Sequence, residues 1–216
     1  MNEDIIIHNE NEYWKAVYKK QIKFVSKKDP TIIPWEIKTF DPNLKEILDY
    51  YKLDTGKLLE LGCGRGDDCK YLADRGFDVT GIDVSPDVIQ TAKNNSSNVK
   101  FIEGDFFTEV FDTQFDVIVD RGFLHNYENR LFEIFEICSN TLRQGGKLIV
   151  ISGNVNQPPI DSCTPPPISI GQIEYHSFTW FKMLYAKEII FYTDENYLDC
   201  LGYIFVLEKK IRKLNE

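Results

Sequence analysis

The chain has 216 residues, 43% of them hydrophobic and 27% charged, which is an ordinary balance for a globular protein with a sizeable buried core. Its net charge of −9 excludes a broad surface for nucleic acid or anionic membrane, because holding phosphates draws on Lys and Arg. The five cysteines form no CxxC pair and have no histidine cluster nearby, so they read as reduced thiols, with neither a disulfide framework nor a metal site expected.

The N-terminal MNEDIIIHNENEYW is acidic and has no basic stretch before a long apolar run, so no signal peptide is expected. No apolar run approaches the roughly 18 residues that cross a bilayer, which gives the expectation of a cytoplasmic chain. Residues 12–27 carry Trp14, Val17, Tyr18, Ile22 and Val25 at helical spacing. The turn-rich segment 29–42 follows, and Asp41-Pro42 reads as an N-cap and first position of a helix with Leu44, Ile47, Leu48 and Tyr51 on one face. KLLEL (57–61) reads as a strand, followed by a helix ending at Gly76. DVTGID (78–83) is a second strand, and Ser85-Pro86 opens the next helix. VKFIEGD, FDVIVD and KLIVIS supply three more strands, with a long helix over 128–143 that ends at Gly145-Gly146.

Such alternation implies right-handed crossovers and a doubly wound, mostly parallel α/β sheet, expected to be seven-stranded. After a helix over 170–182, MLYAKEIIFYT and YIFVLEKK are two strands with a short connection, hence an antiparallel pair. The prolines of 156–169 mark an exposed loop. One domain is expected over 1–216, with 1–42 as an N-terminal helix and lid and 43–216 as the core.

The stretch LLELGCGRGDD (58–68) carries the chemistry. It places Gly62, Gly64 and Gly66 behind a buried strand, where bare backbone N–H groups meet a ligand. The third glycine comes one residue too early for the dinucleotide fingerprint, and a phosphate loop would need a lysine. Glu60, just before the turn, repels a pyrophosphate and attracts an ammonium or sulfonium. Asp83 lies 17 residues after Gly66, near the distance at which an acid takes ribose hydroxyls. Asp105 can accept from an adenine amino group, and Phe106 can cover the base. A cationic amino acid, a ribose and an adenine together are S-adenosylmethionine.

The runs ELGCGRG, GIDVS, EGDF and FDVIVDRGFLH together resemble class I S-adenosylmethionine-dependent methyltransferases, over roughly residues 35–152. Pro34-Trp35-Glu36 and the D-R-G-x-x-H of 120–125 resemble the thiopurine, thiol and tellurite methyltransferase group. The resemblance implies cofactor contacts at Glu60, Gly62 and Gly64 on the methionine side, Asp83 and Val84 at the ribose and adenine edge, and Asp105 and Phe106 at the adenine. It places Asp120 and Arg121 at the strand end facing the methyl group.

Trp35, in a turn-rich stretch, is expected to close over cofactor and acceptor. Asp120 and His125 are the catalytic candidates, although a histidine among aromatics also reads as a hydrogen-bonded core residue. A soft anionic acceptor such as a thiolate needs no general base, whereas a hydroxyl or amine would draw on Asp120, His125 or Tyr127. D-R-G-F stands where base-modifying relatives of the fold carry D/N-P-P-Y/F, which disfavours nucleic acid. The expected partner is a small-molecule acceptor, met by a monomer or weak dimer. O- or N-methyl transfer, a nicotinamide enzyme and a non-catalytic S-adenosylmethionine-binding protein remain as alternatives.

Overall fold

The computed structural model describes residues 10–19, 33–158, 164–193 and 199–211. The helix expected over 12–27 is present as α1 (Glu10–Tyr18), and its expected continuation beyond residue 19 lies outside the described residues. α2 (Pro42–Tyr50) starts where the sequence says it should: the Asp41 carboxylate accepts the N–H groups of Asn43 at 2.8 Å and Leu44 at 3.2 Å.

The chain then alternates through β1 (Gly56–Leu61), α3 (Asp67–Arg75), β2 (Phe77–Asp83), α4 (Pro86–Asn95), β3 (Lys100–Glu103) and β4 (Phe115–Arg121). Next come α5 (Leu131–Thr141), β5 (Leu142–Asn154), β6 (Pro167–Ile168), α6 (Ile170–Ser177), β7 (Phe181–Phe191) and β8 (Cys200–Lys209). The sheet runs β3-β2-β1-β4-β5-β8-β7, and the two-residue β6 pairs with β5 off this path. Pairing is parallel from β3 through β5, while β8 is antiparallel to both β5 and β7.

Strand residues are apolar at successive positions because both faces are covered. Leu58, Val117, Val119 and Ile149 face a layer with Leu44, Leu48, Leu72 and Ile89. Leu59, Ile118, Leu148 and Val150 face the opposite layer, with Leu131, Phe135 and Ile173.

Three expectations need correction. The helix read over 128–143 is α5 alone, preceded by 3-10 turns at Leu124–Asn126 and Glu128–Arg130. Its sequence end was misplaced because Leu142 already pairs with Phe115. Gly145-Gly146 therefore lie inside β5, where the register shifts and Gly145 takes φ +71. The helix read over 170–182 stops at Ser177, since Phe181 is held in the sheet opposite Lys209. In the proline-rich segment, Pro167–Ile168 forms a strand with Gly153–Asn154, so 156–169 is more than an exposed loop.

Candidate functional site

Strand order reverses between β1 and β4, and the carboxyl ends of β1 to β4 open there into a cavity of about 210 Å³. A smaller hollow of about 50 Å³ adjoins it, and Tyr18, Trp35, Gly62 and Arg121 line both. Tyr18 and Trp35 form the partition: the indole Nε1–H donates to the Tyr18 hydroxyl at 3.1 Å.

The glycine turn floors this boundary. Gly62, Gly64 and Gly66 have φ +59, +52 and +76, in the left-handed region that side chains avoid. Gly66 N–H closes the turn on the Cys63 carbonyl at 2.9 Å and caps α3, and a Cβ on it would fall 2.7 Å from the Phe101 ring. Asp83 secures the turn from β2, accepting Gly64 N–H at 3.0 Å and Ser85 N–H at 2.9 Å. Burial pushes its carboxyl up to about 6, against these donors.

Glu60 lines the smaller hollow. Its Oε2 is buried and meets no hydrogen-bond partner among the described residues. Burial, then the neighbouring Asp68 charge, raises this carboxyl to about 8. An orphaned carboxylate oxygen beside a Cβ-free turn fits a cationic amino-acid group. Val84, Asp105, Phe106 and His125 line the larger cavity, as the sequence expects. Asp105 accepts Phe107 N–H at 3.0 Å and also the Asn11 amide at 2.8 Å, so α1 is latched to it.

Asp120 and Arg121 hold the frame. Asp120 is absent from the cavity wall, and its two oxygens accept the N–H groups of Phe123 at 2.8 Å and Leu124 at 2.9 Å. The carboxylate thus pins the turn after β4, behind the wall where a catalytic or ligand-facing Asp120 is expected. Arg121 spends its donors on Asp41 Oδ2 at 3.0 Å, the Trp35 carbonyl at 3.0 Å and the Tyr192 carbonyl at 2.9 Å. Its guanidinium clamps segments of the chain together, and the residue also lines both hollows, where the cofactor contact is expected.

His125 is held by the backbone. Its Nδ1 takes the Gly153 N–H at 3.1 Å, and burial with the Arg121 charge pushes its pKa down to about 3. The Tyr127 phenol is also buried and shifted well up. Sequence reasoning missed the roles of Asn11, Tyr18 and the Pro165-Pro166 wall. Tyr18 looked like an ordinary member of an amphipathic helix, Asn11 lay just before the expected start of that helix at residue 12, and the prolines were read as loop punctuation. Among the described residues no cluster of His, Cys, Asp or Glu is placed to hold a metal ion.

A family model described as a methyltransferase domain matches residues 52–185. A 2-heptyl-1-hydroxyquinolin-4(1H)-one methyltransferase of Mycobacteroides abscessus is 30% identical over 144 residues, covering 63% of this chain and 63% of that protein. A probable thiol methyltransferase 2 of Arabidopsis thaliana is 27% identical over 150 residues, covering 66% and 64%. The chain thus spans less than two thirds of the length of these curated relatives. A solved structure titled for conversion of a disulfide bond into a thioacetal group during echinomycin biosynthesis shares the fold, with TM-score 0.80, 22% identity and 95% of each chain covered.

Proposed function

The chain belongs to the class I S-adenosylmethionine-dependent methyltransferases, and we propose that it methylates a small molecule, most readily a thiol or other soft nucleophile. The bound cofactor would supply a sulfonium methyl group with its own leaving group. Glu60 holds the ammonium, the glycine turn receives the amino-acid end, Asp83 takes the ribose, and Val84, Asp105 and Phe106 border the adenine. Trp35 and Tyr18 close over the reacting centre and exclude water. We take residues 1–42 as a lid on a single domain. We take it as a cytoplasmic monomer or weak dimer with no nucleic-acid or membrane partner, a reading supported by the net charge of −9 and by the free thiols of Cys63, Cys69, Cys138 and Cys200.

The observation that carries the thiol reading is the missing base. Among the described residues at the acceptor end, His125 has its Nδ1 occupied, Asp120 faces away and Tyr127 is shifted out of range. This favours an acceptor that brings its own ionised form, as a thiol with an unperturbed pKa near 8.5 does. A hydroxyl acceptor is favoured by the likeness to the hydroxyquinolinone enzyme, and it meets the same condition only if it ionises by itself.

The test is an acceptor panel with labelled cofactor. Thiols are expected to react faster than hydroxyls and amines, with a pH inflection that moves when the acceptor is changed. An inflection fixed near 6.5 for every acceptor would overturn the reading.

Asp83→Ala tests the cofactor end. Loss of the ribose bonds and of the support for Gly64 is expected to weaken S-adenosylhomocysteine binding about ten-fold to hundred-fold, equivalent to roughly 1.5–3 kcal/mol. Calorimetry showing unchanged affinity would remove Asp83 from the site.

A further inference from the structure

We infer that the neutral imidazole of His125 anchors the acceptor's reacting anion, donating its Nε2–H to that atom within the cavity. The inference rests on the self-ionising acceptor of the preceding reading and assigns the residue that receives it.

The ring is fixed from several sides. Gly153 N–H reaches Nδ1 at 3.1 Å, which places the ring proton on Nε2. Gly153 is itself wedged, since a Cβ there would collide with the carbonyl oxygens of Pro165 and Pro166. Phe191 of β7 packs on the ring with centroids 6.0 Å apart. His125 lines the cavity, and among the described residues the ring's only hydrogen bond is the one at Nδ1, which leaves Nε2 for a ligand. Space is kept beside it: Gly122 has φ +87, and a Cβ on it would come 3.6 Å from Nε2.

The groups around the ring favour a donor over an acid or base. β4 presents the Arg121 guanidinium, whose charge disfavours imidazolium, while β5 presents the Gly153 amide and β7 the apolar Phe191. With burial, these keep the imidazole neutral well below pH 6. A preorganised neutral donor in a water-poor wall stabilises an anion with little reorganisation. A thiolate placed there keeps its charge where desolvation alone would favour the thiol. No bond is made or broken by His125; it holds the nucleophile and lowers its bound-state pKa.

Two substitutions separate anchoring from architecture. His125→Asn keeps an oxygen near the Nδ1 position for Gly153 and lacks the distal donor. His125→Gln places an amide N–H near the Nε2 position and loses the Gly153 contact. The probe is 4-nitrothiophenol, whose thiolate absorbs in the visible, titrated into the full-length chain saturated with S-adenosylhomocysteine.

The wild type and His125→Gln are expected to bind the thiolate comparably. His125→Asn is expected to bind it about ten-fold or more weakly, with the bound probe's pKa raised by about one unit. The reverse order, or equal behaviour of both variants, would overturn the inference and leave the thiol reading standing. A wild-type complex that fails to bind the probe would instead overturn the reading of this end as an acceptor pocket, and the anchor with it.

Discussion

Arg121→Met is expected to lower the unfolding free energy by about 3–5 kcal/mol, the largest effect of any single substitution considered. The Arg121 side chain is only 8% exposed, and it is ion-paired to Asp41 at 3.0 Å and Asp68 at 3.8 Å, themselves 1% and 7% exposed. Removing the guanidinium strands two buried carboxylates. It also frees the carbonyls of Trp35 and Tyr192 and the face of Phe191, whose centroid lies 5.5 Å from the guanidinium carbon. Arg121→Lys should rescue little, because a single ammonium lacks the fork that reaches these separate acceptors. Urea unfolding measures the loss. A change under about 1 kcal/mol would show that the pairs are worth no more than surface ones.

Glu60→Gln is expected to weaken S-adenosylhomocysteine binding by about 30-fold or more, in the range seen when one partner of a buried charge pair is removed. It should also erase a pH dependence. In the free protein burial holds the Glu60 carboxyl at about 8, so at lower pH the ligand's ammonium meets a protonated acid that must lose its proton on binding. Wild-type affinity should therefore rise with pH by up to about ten-fold per unit between roughly 6 and 8, then level off. The variant should lose the rise between about pH 7 and 8 and the proton release that accompanies it in calorimetry across buffers. A wild-type affinity that falls over this range would show that Glu60 does not meet the ammonium.

The unliganded protein carries the opposite linkage. A folded pKa raised above the unfolded value contributes stability at low pH, and that stability is lost as pH rises through about 8. The glutamine variant should accordingly be more stable than wild type near pH 8 in the absence of ligand. The site is thus held in an uncomfortable state that a cationic ligand relieves.

Much of this site was legible because its parts are local. A buried strand, a Gly-x-Gly-x-Gly turn and an acid at the end of each following strand leave a record in spacing, and Asp41-Pro42 announces a helix start by cap chemistry alone. The rest depends on geometry that spacing does not record, some of it local and some of it distant. Nothing near Asp120 says that its oxygens are consumed by the next turn's N–H groups. Nothing near Arg121 shows Asp41 and Tyr192 converging on it from 80 and 71 residues away. The end of α5 was overrun for the same reason, since the pairing of Leu142 with Phe115 is a sheet property that helical periodicity cannot display.

The position of β8 has a consequence for how the chain is assembled. β8 lies between β5 and β7, so the earlier strand β7 has no neighbour in the sheet until residues 200–209 have been inserted beside β5. During synthesis β5 is left as an open apolar edge, with Ile149, Val150 and Ile151 unpaired on that side, until the later strand emerges. β7 and β8 can pair locally across their short connection, whereas β8 meets β5 only by closing a loop of about fifty residues, so a nascent chain halted before residue 200 is expected to expose the β5 edge as a template for aggregation.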